Sequence, residues 1–260
     1  MSPIEILQLI HAEDGVAYAA VAAVLPRMAE AVEVLTCALL GGGRWFNVGA
    51  GTSGRLGVLD ASEIPPTYGL PARVVQGVIA GGDRALRVAV EDAEDDPVAG
   101  SLALSERGLT LGDVVLGISA SGTTPFVLGA IDEAVNVGAR TIALTCDASS
   151  PLAESVEIAI APQVGPEVVT GSTRMKGGLV QKMILSALST SVMVRMGRVR
   201  GNYMTHVSPL SSKLRGRAVR IVMELGAVDR ERAQEVLRKT EGSVALALEI
   251  LEAEGSVERG

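Results

Sequence analysis

Five short, almost wholly apolar runs lie along the middle of the chain, separated by segments whose apolar residues recur at helical spacing. Apolar runs bounded by turn residues predict buried strands, and apolar positions every three or four residues predict amphipathic helices. We place strands at 44–48, 73–79, 114–118, 141–145 and 157–160, and helices near 54–61, 83–95, 124–138 and 173–196. This alternation predicts an α/β fold: a doubly wound parallel five-stranded sheet flanked by helices, with right-handed crossovers.

Helical spacing also marks both ends of the chain. Residues 3–41 predict a helix that Pro26 divides into two. Residues 211–260 predict three short amphipathic helices, with Asp229 as an N-cap. We therefore predict N-terminal helices at 1–41 that pack on the main domain, the α/β domain itself at 42–210, and a small C-terminal helical bundle at 211–260.

The composition of the chain argues against several classes of protein. The formal net charge of −7 argues against a nucleic-acid-binding protein, which presents a basic face. Cys37 and Cys146 are the only cysteines, so no disulfide framework or cysteine metal site is expected. His11 and His206 are the only histidines, which argues against a multi-histidine metal site. The N-terminus lacks the pattern of a signal peptide and Lys182 interrupts the longest apolar helix, so we expect a cytoplasmic protein without a membrane span.

Two loops rich in Gly, Ser and Thr follow the first and third predicted strands. The first loop reads GAGTSGR at 49–55, and the second reads GISASGTTP at 117–125. Glycines let the backbone approach a ligand, hydroxyls donate hydrogen bonds, and a helix start adds partial positive charge that favours phosphate. The alternative is a pair of ordinary strand–helix turns. The candidate phosphate-binding residues are Gly51, Thr52, Ser53, Gly54, Ser119, Ser121, Gly122 and Thr124.

The first loop also satisfies GxGxxG through Gly49, Gly51 and Gly54, which raises a dinucleotide site as another possibility. Such a site requires an acid at the end of the next strand, and Asp83 comes too late and after a Gly pair. No Walker lysine follows either loop. The pattern therefore favours a compact phosphosugar over a dinucleotide.

A third loop, GPEVVTGSTRMKGG at 165–178, again mixes Gly, Ser and Thr before a predicted helix. Arg174 in this loop either reaches an anionic substrate or lies on the helix surface. The further candidates for substrate binding are Glu167, Ser172, Thr173 and Lys176.

Carboxylates are the main candidates for proton transfer, because the chain offers no usable histidine pair or cysteine motif. Glu63 ends a short predicted helix, and the prolines at 65 and 66 restrict the exit of the chain. Glu94 lies in the acidic run EDAEDD at 91–96. Each acid taken alone is typical of a solvated surface, but together they could divide the work of acid and base on one sugar phosphate.

Five strings in this chain resemble the N-acetylmuramic acid 6-phosphate etherases of the sugar isomerase (SIS) superfamily. They are GAGTSGRLGVLDASE, VIAGGDRAL, AVEDAEDD, GISASGTTPF and GPEVVTGSTRMKGG. The similarity runs in order from about residue 4 to the last predicted helices. It implies that 42–210 is an SIS-type sugar-phosphate-binding domain.

The resemblance implies cleavage of the D-lactyl ether of N-acetylmuramic acid 6-phosphate by elimination and hydration, giving N-acetylglucosamine 6-phosphate and D-lactate. The family's proton-donor glutamate falls on Glu63 and its second catalytic glutamate on Glu94. The resemblance also implies a small phosphosugar substrate, no metal or organic cofactor, no nucleic-acid or membrane partner, and a homodimer. The superfamily's phosphate-binding hydroxyls fall on Ser53, Ser119, Ser121 and Thr124.

The chain departs from the family pattern at several loop positions. Thr123 stands where the family has Arg in SGRTP, Gly177 and Leu179 change the third loop, and His206 replaces a usual Asp. Two other functions stay open. One is a non-catalytic phosphosugar sensor like the related glucokinase regulatory proteins, which the retention of both glutamates opposes. The other is an aldose–ketose phosphosugar isomerase, which product analysis distinguishes from an etherase.

Overall fold

A five-stranded parallel sheet forms the centre of the structure, a computed structural model that describes residues 1–207, 209 and 212–257. The strands are β1 Trp45–Gly49, β2 Val75–Ile79, β3 Val114–Ile118, β4 Arg140–Leu144 and β5 Ile158–Ile160. Their order is β2-β1-β3-β4-β5, and every neighbouring pair is parallel. The predicted fold class is confirmed. The order reverses between β1 and β3, which is where open α/β sheets form ligand crevices.

The chain divides into two compact units. The first comprises Met1–Ser62 and Arg73–Val192, and the second comprises Glu63–Ala72 and the residues from Met193 onwards. The partition at 1–41, 42–210 and 211–260 stays a prediction, and its second boundary lies outside the described residues. The helices up to Arg195 are α1 Pro3–Ala23, α2 Leu25–Leu40, α3 Gly51–Tyr68, α4 Gly82–Ala85, α5 Pro97–Ser105, α6 Pro125–Val137, α7 Pro151–Glu154 and α8 Lys176–Arg195.

The core of the first unit follows from strands that are covered on both faces, as parallel strands usually are. All five residues of β1 and of β3 are buried. Helix α8 is long and apolar enough to pass a composition test for a membrane span, but 56% of its apolar window is buried inside the protein. Val180, Ile184 and Leu188 of this helix are fully buried. These features are those of a core helix.

The predicted helix at 83–95 is wrong. Only Gly82–Ala85 is α-helical, Glu91–Asp95 forms a 3₁₀ helix, and a new helix, α5, begins at Pro97. A residue before proline is disfavoured in the α conformation, so the chain turns at Asp96. The Asp96 side chain accepts a hydrogen bond from the Ala99 N–H at 3.0 Å and caps α5. This cap and the proline start a separate helix where one was predicted to end.

From Met193 onwards, the described residues of the second unit form a small hairpin and three further helices. The hairpin pairs β6 Val199–Arg200 with β7 Tyr203–Met204, and the helices are α9 Ser212–Gly226, α10 Arg230–Lys239 and α11 Val244–Val257. Val222, Val236 and Ala247 form part of an apolar cluster among the three helices and are fully buried. The Asp229 side chain accepts from the Arg232 N–H at 2.9 Å. The three C-terminal helices and the Asp229 cap are therefore confirmed.

An ion pair joins the starts of β1 and β3. The Asp113 carboxylate, 1% exposed, accepts from the Arg44 guanidinium at 2.6 Å and from the Arg44 N–H at 2.7 Å. The Thr110 N–H also donates to it at 2.8 Å. Burial alone would raise the pKa of Asp113, but the hydrogen bonds from Arg44 and Thr110 outweigh burial and lower it. The charged form is therefore favoured in the folded state.

Asp113→Asn is expected to lower the free energy of unfolding at pH 7 by about 3 kcal/mol, because one partner of a buried pair is lost. A lowered folded pKa stabilises the protein above the ordinary Asp value of about 3.9, and this contribution disappears as pH falls through the folded pKa. The difference in free energy of unfolding between the variant and the wild type should thus shrink in acid. Urea titrations at several pH values measure it, with Glu30→Gln at the exposed Arg27–Glu30 pair as control. A deficit unchanged below pH 3 would contradict this account.

Candidate functional site

The first and second loops begin side by side at the carboxyl edge of the sheet. Gly49 at the end of β1 is paired in register with Ile118 at the end of β3. These two strands flank the point where the strand order reverses. The loops that follow them therefore meet at the predicted ligand crevice.

The first loop turns directly into α3, so its residues form the first turn of that helix. Gly51 has a φ of +51°, a conformation that favours glycine. A Cβ on Gly49 would lie 2.7 Å from the Gly54 nitrogen, so the strand and helix pack too closely for a larger residue. The Gly54 N–H donates to Ala50 O at 3.0 Å. The preceding N–H groups, those of Gly51, Thr52 and Ser53, are left without an intrahelical acceptor, as an anion site requires.

The second loop carries a network of hydroxyl groups. The buried Ser119 hydroxyl lies 2.8 Å from the Thr124 hydroxyl and 3.3 Å from that of Ser121. It also accepts from the Gly122 N–H at 3.0 Å. Thr124 precedes α6 but makes no side-chain capping bond to it. The start of α6 and the exposed Ser121 are therefore available to an anion.

Gly122 is required by close packing. Its φ is +66°, and a Cβ at this position would lie 2.1 Å from the Ser150 hydroxyl oxygen. Ser150 caps α7 through the Ala153 N–H at 3.3 Å. The shape of the second loop thus depends on glycine at this position and on a neighbouring helix start.

The third loop packs on both of the others. A Cβ on Gly177 would lie 3.3 Å from the Ala120 Cβ, and a Cβ on Gly178 would lie 3.4 Å from the Thr52 side chain. Ser172 is half-buried and Thr173 is exposed. A Cβ on Gly177 would lie 3.5 Å from the Thr173 Cβ. The start of α8 therefore lies against the first two loops, with Thr173 beside Gly177.

Glu167 and Lys176 have partners that the sequence did not reveal. The Glu167 carboxylate accepts from the N–H groups of Lys176 and Gly177, each at 2.9 Å, and so caps α8. The Lys176 side chain is 2% exposed, and its ammonium pairs with Glu13 of α1. Both residues line an open groove of about 640 Å³ beside α1. In this structure the side chain of each residue is engaged by another part of the protein and is not left free for a substrate.

Cys146 is excluded as a nucleophile by its surroundings. Burial, reinforced by the negative charge of Glu167, raises the pKa of the Cys146 thiol to about 11. A thiol with that pKa stays protonated at neutral pH, and thiolate is the reactive form. The Cys146 thiol is therefore disfavoured as a nucleophile at neutral pH.

Glu94 lies at a cavity that the first loop also lines. The cavity measures about 420 Å³, and Glu94 is exposed on the 3₁₀ helix at its wall. Sequence reasoning had placed Glu94 and Gly51 in one site, and the structure brings them to one cavity. The sequence pattern did not single out Arg55, although this residue ends the first loop, GAGTSGR. The lining residues are Ala50, Gly51, Arg55, Ala80, Ala85, Ala89, Val90, Asp92, Glu94 and Asp95.

Glu63 lies within α3 and not at its end. Helix α3 runs from Gly51 to Tyr68 and passes through Pro65 and Pro66, so the predicted end at Glu63 is wrong. Proline keeps a helical φ near −65°, and the Gly69 N–H still donates to Pro65 O at 3.0 Å. At about 1.5 Å per residue, Glu63 lies about 18 Å along the axis from Gly51. Its side chain is exposed.

Comparison with family models and solved structures places the fold. The SIS domain model matches residues 88–191, and the model of the glucokinase regulatory protein N-terminal SIS domain matches residues 27–135. A phosphoheptose isomerase from Francisella tularensis is similar with a TM-score of 0.53 and 18% identity, over 75% of this chain and 100% of that one. The Vibrio vulnificus NanR protein complexed with ManNAc-6P is similar with a TM-score of 0.52 and 16% identity, over 75% of this chain and 65% of that one. At these identities the likeness concerns the fold alone.

Sequence relatives are much closer. The N-acetylmuramic acid 6-phosphate etherase of Pectobacterium atrosepticum is 48% identical over 258 residues, which is 99% of this chain and 85% of that protein. The protein of the same name from Jannaschia sp. is 51% identical over 248 residues, which is 95% of this chain and 78% of that protein. Identity at this level over nearly the whole chain shows the family. This chain belongs to the N-acetylmuramic acid 6-phosphate etherase family and carries the SIS fold.

Proposed function

We propose that this protein cleaves the D-lactyl ether of N-acetylmuramic acid 6-phosphate, releasing D-lactate and N-acetylglucosamine 6-phosphate. The observation that carries the proposal is the position of Glu94 at the cavity lined by Gly51 of the first loop. A carboxylate beside an anion-binding helix start is suited to proton abstraction from a bound sugar phosphate. The relatives over nearly the whole chain are named N-acetylmuramic acid 6-phosphate etherase, which favours this substrate over other phosphosugars.

The phosphate would bind between the first two loops. The free N–H groups at the start of α3 and the partial positive charge of both helix starts favour a dianion. The hydroxyls of Ser53, Ser119, Ser121 and Thr124 add donors around it. Phosphate held there leaves the sugar to extend towards the cavity wall that bears Glu94.

The reaction would proceed by elimination and then hydration. In the open-chain aldehyde the carbonyl acidifies the C2 proton, and Glu94 removes it. A C2–C3 double bond forms as the C3–O bond breaks, and Glu63 protonates the departing lactyl oxygen. Glu63 then takes a proton from water as the hydroxyl adds to C3, and Glu94 returns its proton to C2, so that both glutamates return to their first state. This sequence makes the enzyme a carbon–oxygen lyase.

The two glutamates would come from different copies of the chain in a homodimer. Glu63 is exposed and follows Gly51 by about 18 Å of helix rise along α3, so we assign it to the cavity of the partner copy. Helix α1 supports association, because Ile4, Leu7 and Tyr18 on it are 59%, 60% and 71% exposed. Apolar exposure on this scale is typical of an interaction surface. We further propose a cytoplasmic location, which the free cysteines fit.

Purified protein given N-acetylmuramic acid 6-phosphate should release D-lactate and N-acetylglucosamine 6-phosphate in equal amounts. In ¹⁸O-labelled water the label should enter the sugar at C3 and not the lactate, because the C3–O bond is the one that breaks. Enzymatic lactate assay and mass spectrometry measure both. Absence of lactate at high protein concentration would overturn the proposal. Binding without turnover would indicate a sensor, and a ketose product would indicate an isomerase.

A further inference from the structure

Arg55 lines the same cavity as Glu94 and forms no ion pair with any described residue. Among the described lining residues it is the only cation, beside the acids Asp92, Glu94 and Asp95. Its side chain is half-buried and makes no hydrogen bond or ion pair with any residue that the structure describes. Other arginines of the first unit, such as Arg44 and Arg140, pair with carboxylates at hydrogen-bond distance.

Stability of the helix does not explain an arginine at this position. Arg55 lies close to the N-terminal end of α3, where the partial charge of the helix is positive and a cation is not favoured. A guanidinium presents a planar pair of N–H donors that matches the two oxygens of a carboxylate. An unpaired guanidinium at the wall of a cavity therefore favours an anionic group of a ligand.

The proposed substrate carries two anionic groups. Its phosphate fits the helix starts and hydroxyls of the first two loops. Its second anion is the lactyl carboxylate, attached through the ether oxygen to C3, the neighbour of the carbon whose proton Glu94 removes. A substrate with C2 at Glu94 therefore places its lactyl group in the same cavity, next to Arg55.

We propose that Arg55 binds the carboxylate of the lactyl group and is a specificity-determining residue for carboxyl-bearing ethers. The inference rests on the proposed function and assigns a recognition site within it. Arg55 would offset the repulsion between the lactyl carboxylate and the acids at 92 and 95. Sugar phosphates without a carboxylate on the C3 substituent gain no binding energy from this contact. The enzyme would therefore prefer the lactyl ether over these sugar phosphates.

The test compares two substrates and two variants. For N-acetylmuramic acid 6-phosphate, Arg55→Gln should lower kcat/KM about 10²-fold, as loss of a charge-assisted hydrogen-bond pair predicts. For the neutral analogue in which the lactyl carboxylate is a carboxamide, the same variant should change kcat/KM by less than about threefold. Arg87→Gln is the matched control, because Arg87 is exposed nearby and does not line the cavity. An equal loss on both substrates would overturn the proposal.

A binding experiment separates failure of this inference from failure of the proposed function. Calorimetric titration in a Glu94→Gln background compares N-acetylmuramic acid 6-phosphate with N-acetylglucosamine 6-phosphate, which lacks the lactyl group. Addition of Arg55→Gln should weaken the first about 10²-fold and leave the second unchanged. Equal weakening of both would show that Arg55 binds the phosphate, and no weakening would show that it binds neither. Should the glutamine variant not fold, Arg55→Lys keeps the charge and should lose about tenfold on the acid substrate alone.

Discussion

Replacement of Glu94 by glutamine is expected to lower the rate of D-lactate release about 10³-fold, within the range that a positioned acid or base contributes. Glutamine keeps the size of the side chain but cannot accept the C2 proton. Substrate binding should change little, because the phosphate contacts lie in the first two loops. KM should therefore stay within a few-fold while kcat falls. Steady-state kinetics on the purified variant measures both.

Two other acids provide the controls for Glu94. Asp92 lines the same cavity, and Glu106 follows α5 with an exposed side chain. Asp92→Asn should have a much smaller effect than Glu94→Gln, and Glu106→Gln should have none. In deuterated water, the Glu94 variant should also lose exchange of the C2 proton. A Glu94 variant with normal turnover, or an Asp92 variant with the larger loss, would contradict the assignment of the base.

The fold was predictable because its signals are local. Each buried strand has its own apolar run, and the predicted run at 114–118 coincides with the observed β3. The failure at 83–95 lay between Ala85, where α4 ends, and Glu91, where a 3₁₀ helix begins. Proline misled the prediction at Pro65 and Pro66, which α3 accommodates. Proline thus begins one helix, at Pro97, and lies inside another, so its presence alone did not fix the helix ends.

The site was only partly predictable, because its remaining contacts are distant along the chain. The loop glycines and hydroxyls are adjacent in sequence to the strands that position them, so strand prediction was sufficient to find them. The partner of Lys176 is Glu13, 163 residues earlier, and no pattern near Lys176 indicates it. Glu167 caps α8 across a gap of 9 residues that has no regular spacing. The charges of Lys176 and Glu167 in a Gly- and Ser-rich loop made them candidates for binding, but only the structure gives their partners.

Replacement of Glu63 by glutamine should also lower D-lactate release about 10³-fold, since the lactyl oxygen would depart without its proton donor. The C2 proton is removed by another residue, so its exchange with deuterated water should continue in this variant. The Ser62→Ala substitution is a suitable control, because Ser62 is exposed on the same helix and its hydroxyl donates to Leu59 O, at 2.7 Å, and to no other described residue. Loss of both lactate release and exchange in the Glu63 variant would contradict its role as the acid.

A mixture of the two inactive variants tests where Glu63 acts. In a symmetric dimer whose sites each combine Glu94 of one copy with Glu63 of the other, a mixed dimer has one site with both glutamates and one with neither. Random exchange of subunits at equal concentrations makes half of the dimers mixed, so activity should recover to roughly a quarter of the wild-type value. A site built within one chain would give no recovery, because every chain in the mixture lacks one glutamate. Unfolding in dilute urea and refolding together ensures exchange, and variants refolded separately and then mixed serve as the control. Recovery only after joint refolding would support a site that combines Glu63 of one copy with Glu94 of the other.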